Sequence, residues 1–526
     1  MKFFNTAGPV VPEKHYHVPI MARINKEKIL SLIEQEKYFV LHAPRQSGKT
    51  TSLLTLMKLL NESGKYKCLY VNVESAQAAR ENVAEAMASI LSELESREMI
   101  YLKENIIANH YKNSIKRVHT ALADILTKWT MESKLPTVLL IDEIDSLVGD
   151  TLISVLRQLR SRYDTRPYAF PQSIILCGVR DVRDYRIHSR REKEIITGGS
   201  CFNVKAKSIR LGNFNEEDIR TLYLQHTEET GQEFTEEALN HVYDITAGQP
   251  WLVNALAYEA CFEIPRGKDR SNPITVDIIN QAKENLIVSR TTHLDQLADK
   301  LKEERVRNII EPMLKGEDIG ELPHDDILYA IDLGLITRTS DGLKVANEIY
   351  SEIIPRELTV VTQTRIESKV DRLVFINEDG SLHVEKLIRE FQEFFRENAE
   401  SWIERFAYKE AGPQLLLQAF LQRVINGGGS IYREYGLGRR RTDILIEWSD
   451  KSNNTSKYVI ELKLLHKSLE KTIEDGLKQT AAYMDRTGTS IGHLLIFDKS
   501  EDKSWQEKIF REERENKGRE IVIWGM

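Results

Sequence analysis

Residues 38–60, YFVLHAPRQSGKTTSLLTLMKLL, decide the fold of the first part of this chain. A short apolar run of strand length leads into APRQSGKT and then into an apolar run of helix length. In such a loop, backbone N–H groups and the helix N-terminus surround phosphates, the lysine reaches the β- and γ-phosphates, and the following hydroxyl joins a Mg²⁺ shell. Alanine replaces the usual first glycine, which requires a negative φ there. The expected nucleotide-binding residues are Ala43, Pro44, Arg45, Gln46, Ser47, Gly48, Lys49, Thr50 and Thr51.

A second acidic motif, TVLLIDEID at residues 137–145, supports this interpretation. Its apolar residues predict a buried parallel strand that ends in Asp142 and Glu143. We expect Asp142 to hold Mg²⁺ through water and Glu143 to polarise the attacking water. The two motifs together predict binding and hydrolysis of ATP with Mg²⁺.

Two further segments, KCLYVNVES and SIILCGVRDVRDYR, complete the prediction of a doubly wound α/β sheet. Arg180 follows the second of these strands and is either a sensor of the γ-phosphate or a solvated surface arginine. Arg157, Arg160 and Arg162 either serve a neighbouring subunit or lie on an exposed helix face.

Helical segments follow the predicted sheet. Gly248-Gln249-Pro250 is either a helix-breaking turn or part of a lid in which Pro250 lies near the nucleotide. Residues 296–360 predict two helices and a hairpin, the pattern of a winged helix. Its second helix carries Asp325, Asp326 and Asp332, which would repel DNA and favour a packing role. The opening GPVVPEKHYHVP either wraps the adenine side or is a disordered arm.

Near the C-terminus, GRRRTDILIEW and YVIELKLL predict a β-hairpin that carries Asp443, Glu461 and Lys463. Residues two apart in a strand share a face, so Glu461 and Lys463 point the same way. Two carboxylates with a lysine suit metal-assisted phosphodiester hydrolysis, with Asp443 and Glu461 as ligands of Mg²⁺ or Mn²⁺. The alternative is a surface hairpin with scattered charges. The adjacent arginines 439–441 would position a nucleic-acid backbone or belong to a solvated loop.

Both halves resemble known families. APRQSGKT, LLIDEID and AGQPW resemble the AAA-like, STAND-related ATPases of bacteria and archaea, which are often fused to a nuclease. The hairpin resembles the PD-(D/E)xK nuclease superfamily, with Thr442 in place of proline. That resemblance implies accessory roles for Glu410, Gln479 and Tyr483. Taken together, the two resemblances imply an α/β protein: a P-loop ASCE ATPase with a parallel sheet, a helical lid, a winged helix and an α/β PD-(D/E)xK nuclease-like domain. The predicted bounds are 1–25 for an arm, 26–210 for the ATPase core, 211–290 for the lid, 291–360 for the winged helix, 361–384 for a linker and 385–526 for the nuclease-like domain.

Composition limits the setting of these activities. The net charge is −7, so contacts with nucleic acid, DNA more than RNA, must be local. The four cysteines lack CxxC spacing, and no signal peptide or membrane span is evident, which predicts a cytoplasmic protein. The resemblance implies a homo-oligomeric ATP switch that controls a DNA nuclease, by analogy in prokaryotic defence or mobile-element biology. A regulatory ATPase whose last domain binds without cleaving is the alternative, and a DNA motor ranks third.

Overall fold

The structure is a computed structural model of the chain. It divides the chain into two compact units. The N-terminal unit comprises Met1–Asp295, Pro323–Thr337 and Ala346–Ile349, and the C-terminal unit comprises Gln296–Leu322, Arg338–Val345 and Tyr350–Met526. The residues described are 1–19, 23, 25–181, 186–188, 195–197, 202–288, 299–315, 323–340, 342–358, 375–377, 379–403, 417, 420–421, 429–435, 442–449, 455–465, 468–498, 500, 503–516 and 518–526.

The N-terminal unit is built on a five-stranded parallel sheet of order β4-β5-β6-β3-β9. β6 lies between β3 and β5, the strands that precede the two predicted nucleotide motifs, which confirms the predicted α/β fold with a parallel sheet. The fifth strand, β9, was not predicted from the sequence. The strands of this unit are β1 Phe3–Phe4, β2 His15–Tyr16, β3 Tyr38–His42, β4 Lys67–Asn72, β5 Thr137–Asp142, β6 Ser173–Gly178, β7 Arg186–His188, β8 Ile195–Thr197 and β9 Lys205–Arg210.

Helices cover both faces of this sheet. Successive strand residues point to opposite faces, and each face forms its own apolar layer with helices. Phe39, Leu41 and Leu140 pack with the first two helices, whereas Val40 and Leu139 pack with the next four. Burial on both faces explains why these strands are almost continuously apolar. The six helices are α1 Lys26–Glu34, α2 Lys49–Glu62, α3 Val83–Leu102, α4 Ile106–Ser114, α5 Ala121–Glu132 and α6 Gly149–Ser161.

A helical subdomain follows the sheet, and the N-terminal arm packs on it. Phe4 and Tyr16, from paired β1 and β2, lie against Tyr223 and His226, so the described arm is packed and its disordered alternative is wrong. Gly248 has φ +68°, and a Cβ there would lie 1.8 Å from the Phe214 carbonyl oxygen, so only glycine fits this turn. The helices are α7 Glu216–Thr230, α8 Glu236–Thr246, α9 Pro250–Tyr258, α10 Pro265–Lys268 and α11 Val276–Val288.

The predicted elements of the winged helix are present. They are α12 Glu304–Lys315, α13 His324–Asp332, β10 Ile336–Thr339 and β11 Gly342–Val345, followed by α14 Glu348–Leu358. β10 and β11 form a two-stranded sheet, as the hairpin prediction requires. Of these elements, α13 belongs to the N-terminal unit and α12 to the C-terminal unit.

The C-terminal unit is built on a mixed six-stranded sheet of order β12-β13-β14-β15-β17-β16. The predicted hairpin is confirmed as antiparallel β13 and β14. The apolar segment GHLLIFD forms β15, which pairs in parallel with both β14 and β17 and is therefore an inner strand, whereas β12 and β16 are the two edge strands. The elements are α15 Val384–Ile403, β12 Gly429–Tyr435, β13 Thr442–Ser449, β14 Thr455–Leu464, α16 Leu469–Thr487, β15 Ile491–Phe497, α17 Trp505–Lys508, β16 Phe510–Asn516 and β17 Arg519–Gly525.

Each face of the mixed sheet carries its own helix. α15 packs on the face that includes Ile460 and Leu462, and α16 packs on the face that includes Leu445 and Val459. Within the described ranges, no helix is both long and apolar enough to span a bilayer.

Candidate nucleotide site and acid–lysine site

The phosphate-binding loop joins β3 to α2 in the conformation that its sequence requires. Gln46 and Gly48 have positive φ values of 55° and 89°, while Ala43 is not among the described residues with positive φ, so alanine is tolerated there. Lys49 begins α2, and its buried Nζ donates to the carbonyl oxygens of Ala43 at 3.1 Å and Pro44 at 3.0 Å. The loop therefore concentrates backbone N–H groups, a helix N-terminus and an ammonium group at one point, as phosphate binding requires.

The acidic motif meets this loop at the carboxyl end of β5. Thr50 Oγ1 donates to Asp142 Oδ2 over 2.7 Å, and the Glu143 backbone N–H donates to Asp142 Oδ1 over 3.0 Å. Burial raises the pKa of the Glu143 carboxyl, although the nearby Lys49 charge opposes the shift. A hydroxyl beside a buried carboxylate is a donor set that suits Mg²⁺ with its waters, and a carboxylate of raised pKa suits a proton acceptor. The residues present thus fit ATP and Mg²⁺.

Arg180 is buried, so the solvated-surface interpretation is wrong. Its Nε lies 3.2 Å from Asp332 Oδ2, its Nη2 lies 3.8 Å from Asp325 Oδ1, and its guanidinium lies 5.0 Å from the centre of the Tyr329 ring. All three partners belong to α13. Gly334 follows this helix, and a Cβ on it would lie 2.8 Å from Pro44 of the loop. The predicted γ-phosphate sensor is therefore engaged by α13, and its sensing role stays a prediction.

The structure adds a residue that the sequence analysis missed. Arg23 lies beside the loop: a Cβ on Gly48 would lie 3.2 Å from its Nη1, and its guanidinium lies 4.7 Å from the centre of the Phe214 ring. Burial lowers the pKa of Arg23 to about 10. No local motif marks this position, because the contact depends on how the segment before α1 folds back.

Three other sequence predictions have definite positions in the N-terminal unit. The Val10 backbone N–H donates to Thr51 Oγ1 over 3.2 Å, which brings the arm against α2. Pro250 is the first residue of α9, and the Gln249 side chain caps that helix by accepting from the Leu252 N–H, so the turn interpretation holds and the lid role stays a prediction. Arg162 pairs with Asp124 of its own chain. Arg157 and Arg160 have partners of their own.

In the C-terminal unit, Glu461 and Lys463 form an ion pair in β14, with Lys463 Nζ 2.6 Å from Glu461 Oε1. Glu461 is fully buried, and the Lys463 side chain is 17% exposed. β13 pairs with β14 through Ile444 and Ile460, and one further step of this register brings the backbone of Asp443 opposite Glu461. The two predicted acids therefore belong to paired strands. The full burial of Glu461 does not fit a surface hairpin with scattered charges.

α16 packs on the sheet face that carries Val459, two residues before Glu461. Tyr483 is buried in that layer, and Gln479 has a buried Oε1 without a hydrogen-bond partner. Glu410, the side chain of Asp443 and arginines 439–441 lie outside the described residues. Among the side chains that are described, no three of His, Cys, Asp and Glu form a metal-binding group.

Comparison with known proteins bears on part of the N-terminal unit. Residues 33–185 match the family model described as "AAA domain". No curated protein sequence matches the chain. Similar solved structures include a Walker-type ATPase of Pyrococcus abyssi, at 14% identity and a TM-score of 0.44, which covers 67% of this chain and 99% of its own.

Two further solved structures are similar. A variant of RuvB from Thermotoga maritima has 12% identity, a TM-score of 0.33 and coverage of 64% of this chain and 95% of its own. Cdc6p from Pyrobaculum aerophilum has 14% identity, a TM-score of 0.35 and coverage of 66% and 95%. These likenesses are too weak to support any argument about function. The family match and the loop geometry do support one conclusion: residues 33–185 have the α/β fold of a P-loop ATPase with a parallel central sheet.

Proposed function

We propose that this chain is an ATP-dependent switch that controls a Mg²⁺-dependent DNA nuclease. ATP would bind at the loop between β3 and α2, and cleavage would take place on the face of β13 and β14. A setting in prokaryotic defence or mobile-element biology rests on the family resemblance alone. The observation that supports the nuclease proposal is the buried Glu461–Lys463 ion pair in a hairpin whose paired residues Ile444 and Ile460 adjoin Asp443 and Glu461 in the chain.

In the ATPase step, Lys49 would neutralise the β- and γ-phosphates, while Thr50 and Asp142 hold Mg²⁺ with its waters. Glu143 would accept a proton from the attacking water, and its raised pKa makes it a better base than an exposed carboxylate. The bound metal would offset charge that develops on the phosphates. Because α13 engages Arg180 through Asp325 and Asp332, a change at the γ-phosphate position has a direct route to this helix.

In the nuclease step, Asp443 and Glu461 would hold Mg²⁺ or Mn²⁺, the metal would activate water, and Lys463 would contact the attacked phosphate. Burial of Glu461 with an ion-pair partner keeps a charged ligand ready without leaving it alone in an apolar core. The arginines at 439–441 would position the DNA backbone, and homo-oligomers would present two nuclease domains to one duplex.

The test is cleavage of linear, circular and single-stranded DNA with Mg²⁺ or Mn²⁺, with and without ATP. We expect Asp443→Asn to abolish cleavage. Glu447→Gln is the matched control, because Glu447 lies on the same strand and pairs with Lys457. Glu143→Gln should keep ATP binding, lower hydrolysis at least about 100-fold and change cleavage. DNA that is bound but never cut would instead support the regulatory ATPase with a binding domain.

A further inference from the structure

Tyr70 lies beside the metal-side carboxylate of the nucleotide site. It belongs to β4, whose residue Asn72 pairs with Asp142 at the end of β5. The Tyr70 hydroxyl donates to Asp142 Oδ2 over 3.1 Å, and both side chains are buried. Tyr70 therefore contacts Asp142 from the neighbouring strand, without being part of either nucleotide-binding motif.

Asp142 has donors on both of its oxygens. Oδ2 also accepts from Thr50 Oγ1 at 2.7 Å, and Oδ1 accepts from the Glu143 N–H at 3.0 Å. An aspartate carboxylate rotates easily about its last bond, so its orientation depends on such donors. The Thr50 oxygen is expected to coordinate Mg²⁺ as well, whereas the Tyr70 hydroxyl is not expected to bind the metal and has the Asn72 side chain as its other hydrogen-bond partner. Tyr70 is thus the donor best suited to fix the carboxylate before and after the metal binds.

The Tyr70 ring is held in place by α3. The Arg97 guanidinium lies 5.8 Å from the ring centre, and the Tyr101 ring meets it edge-on at 6.5 Å. Glu93 holds Arg97 through a 2.7 Å ion pair. A phenolic hydroxyl keeps its proton at neutral pH, so Tyr70 remains a donor to Asp142.

We propose that Tyr70 is a positioning residue for Mg²⁺ in the ATPase site, acting through Asp142. The hydroxyl holds Oδ2 so that the remaining lone pairs of the carboxylate face the waters of the metal. Tyr70 itself touches neither nucleotide nor metal. This inference rests on the ATPase part of the proposed function and is independent of the nuclease.

Tyr70→Phe tests the inference, because it removes one oxygen and keeps the buried ring. A hydrogen bond to a carboxylate changes an equilibrium on the order of tenfold, so we expect the Mg²⁺ concentration for half-maximal ATPase activity to rise about tenfold. We expect kcat at moderate Mg²⁺ to fall by a similar factor. Binding of a fluorescent ATP analogue in EDTA should not change, whereas a merely structural defect would weaken it.

Tyr101→Phe is the matched control. Its hydroxyl bonds to Arg97 at 3.2 Å and does not contact Asp142, so its Mg²⁺ dependence should equal that of the wild type. Equal Mg²⁺ dependence of Tyr70→Phe and the wild type would overturn the inference, as would equal shifts in both variants. If the wild type hydrolyses no ATP, the ATPase proposal fails. The inference is then decided by whether Mg²⁺ strengthens binding of the analogue less in Tyr70→Phe than in the wild type.

Discussion

The two candidate sites are assembled in different ways. In the N-terminal unit, Lys49 and Thr50 are neighbours in the first turn of α2, and Asp142 and Glu143 are neighbours at a strand end. In the C-terminal unit, the candidate residues lie within strands, and Asp443 and Glu461 belong to two different strands, the paired β13 and β14. The first site depends on local backbone conformation, and the second depends on strand register.

This difference has a physical consequence for each site. A site at the carboxyl ends of parallel strands is formed by loops, which can change without disturbing the sheet. A site on a sheet face shares its packing with the core: Leu462, the residue between Glu461 and Lys463, lies in the apolar layer that α15 covers. We therefore expect substitutions at the first site to affect turnover more than stability, and substitutions at the second to affect both.

The largest expected effect is the loss of stability in Lys463→Ala. Removing the partner of a buried carboxylate costs about 3–5 kcal/mol, because Glu461 would keep its charge without its 2.6 Å ion pair. Lys457→Ala breaks a pair of the same 2.6 Å length with Glu447, but in a more exposed position, and should cost about 1 kcal/mol or less. Urea unfolding of the full chain measures both. Equal losses of unfolding free energy in the two variants would mean that the burial of the Glu461–Lys463 pair does not increase its contribution to stability.

A smaller effect on stability is expected when His493 is replaced. Burial is the main reason that the pKa of His493 is lowered to about 3. The unfolded chain takes up this proton below a pH of about 6.5, and the folded chain does not until about pH 3. Stability should therefore fall as the pH decreases below about 6.5, by up to about 1.4 kcal/mol per pH unit. His493 Nδ1 accepts a hydrogen bond from Trp524 Nε1 over 3.3 Å, and a glutamine side chain can also accept it.

His493→Gln should thus reduce the loss of unfolding free energy between pH 6.5 and pH 5 by about 2 kcal/mol. Urea unfolding at the two pH values, followed by tryptophan fluorescence, measures it. His383→Gln, at an exposed position, is the control. An unchanged pH dependence in His493→Gln would show that acid sensitivity arises elsewhere, including the N-terminal unit, where burial also lowers the pKa of His42 and His226.

The smallest expected effect is on turnover in Asp332→Asn. This change removes the charge that lies 3.2 Å from Arg180 Nε and keeps the shape of the side chain. If Arg180 senses the γ-phosphate, its release should raise the ATPase rate about fivefold, which corresponds to about 1 kcal/mol. Asp326→Asn, on the same helix, is the control. A rate that does not change would limit Arg180 to a packing role.

The sequence predicts the parts of the fold that depend on local pattern. The loop, the acidic strand end and the β13–β14 hairpin are identified because their residues lie close together in the chain. The partners of Arg180 cannot be identified from the sequence, because Asp332 lies 152 residues away and ion pairing carries no local signal. Strands β9 and β16 were missed because KAKSIR and FREEREN lack the apolar alternation of a half-buried strand.

The central position of GHLLIFD could not be predicted either. Strand order is set by crossover connections and not by composition, and an apolar run fits both a central strand and an outer one. Its near-continuous burial in β15 is consistent with the central position.

The charged side chains of the edge strand β16 bear on the aggregation of the C-terminal unit. An open strand edge is a template on which another chain can add, and apolar edges therefore polymerise readily. In β16, Arg511 and Arg514 lie among three glutamates, and they pair with Glu385 of α15 and Glu470 of α16. Charged side chains along an edge strand disfavour the addition of a second strand, because their charges would have to be desolvated or repelled. The C-terminal sheet therefore combines an apolar interior with a charged strand at one of its two edges, which disfavours strand addition on that side.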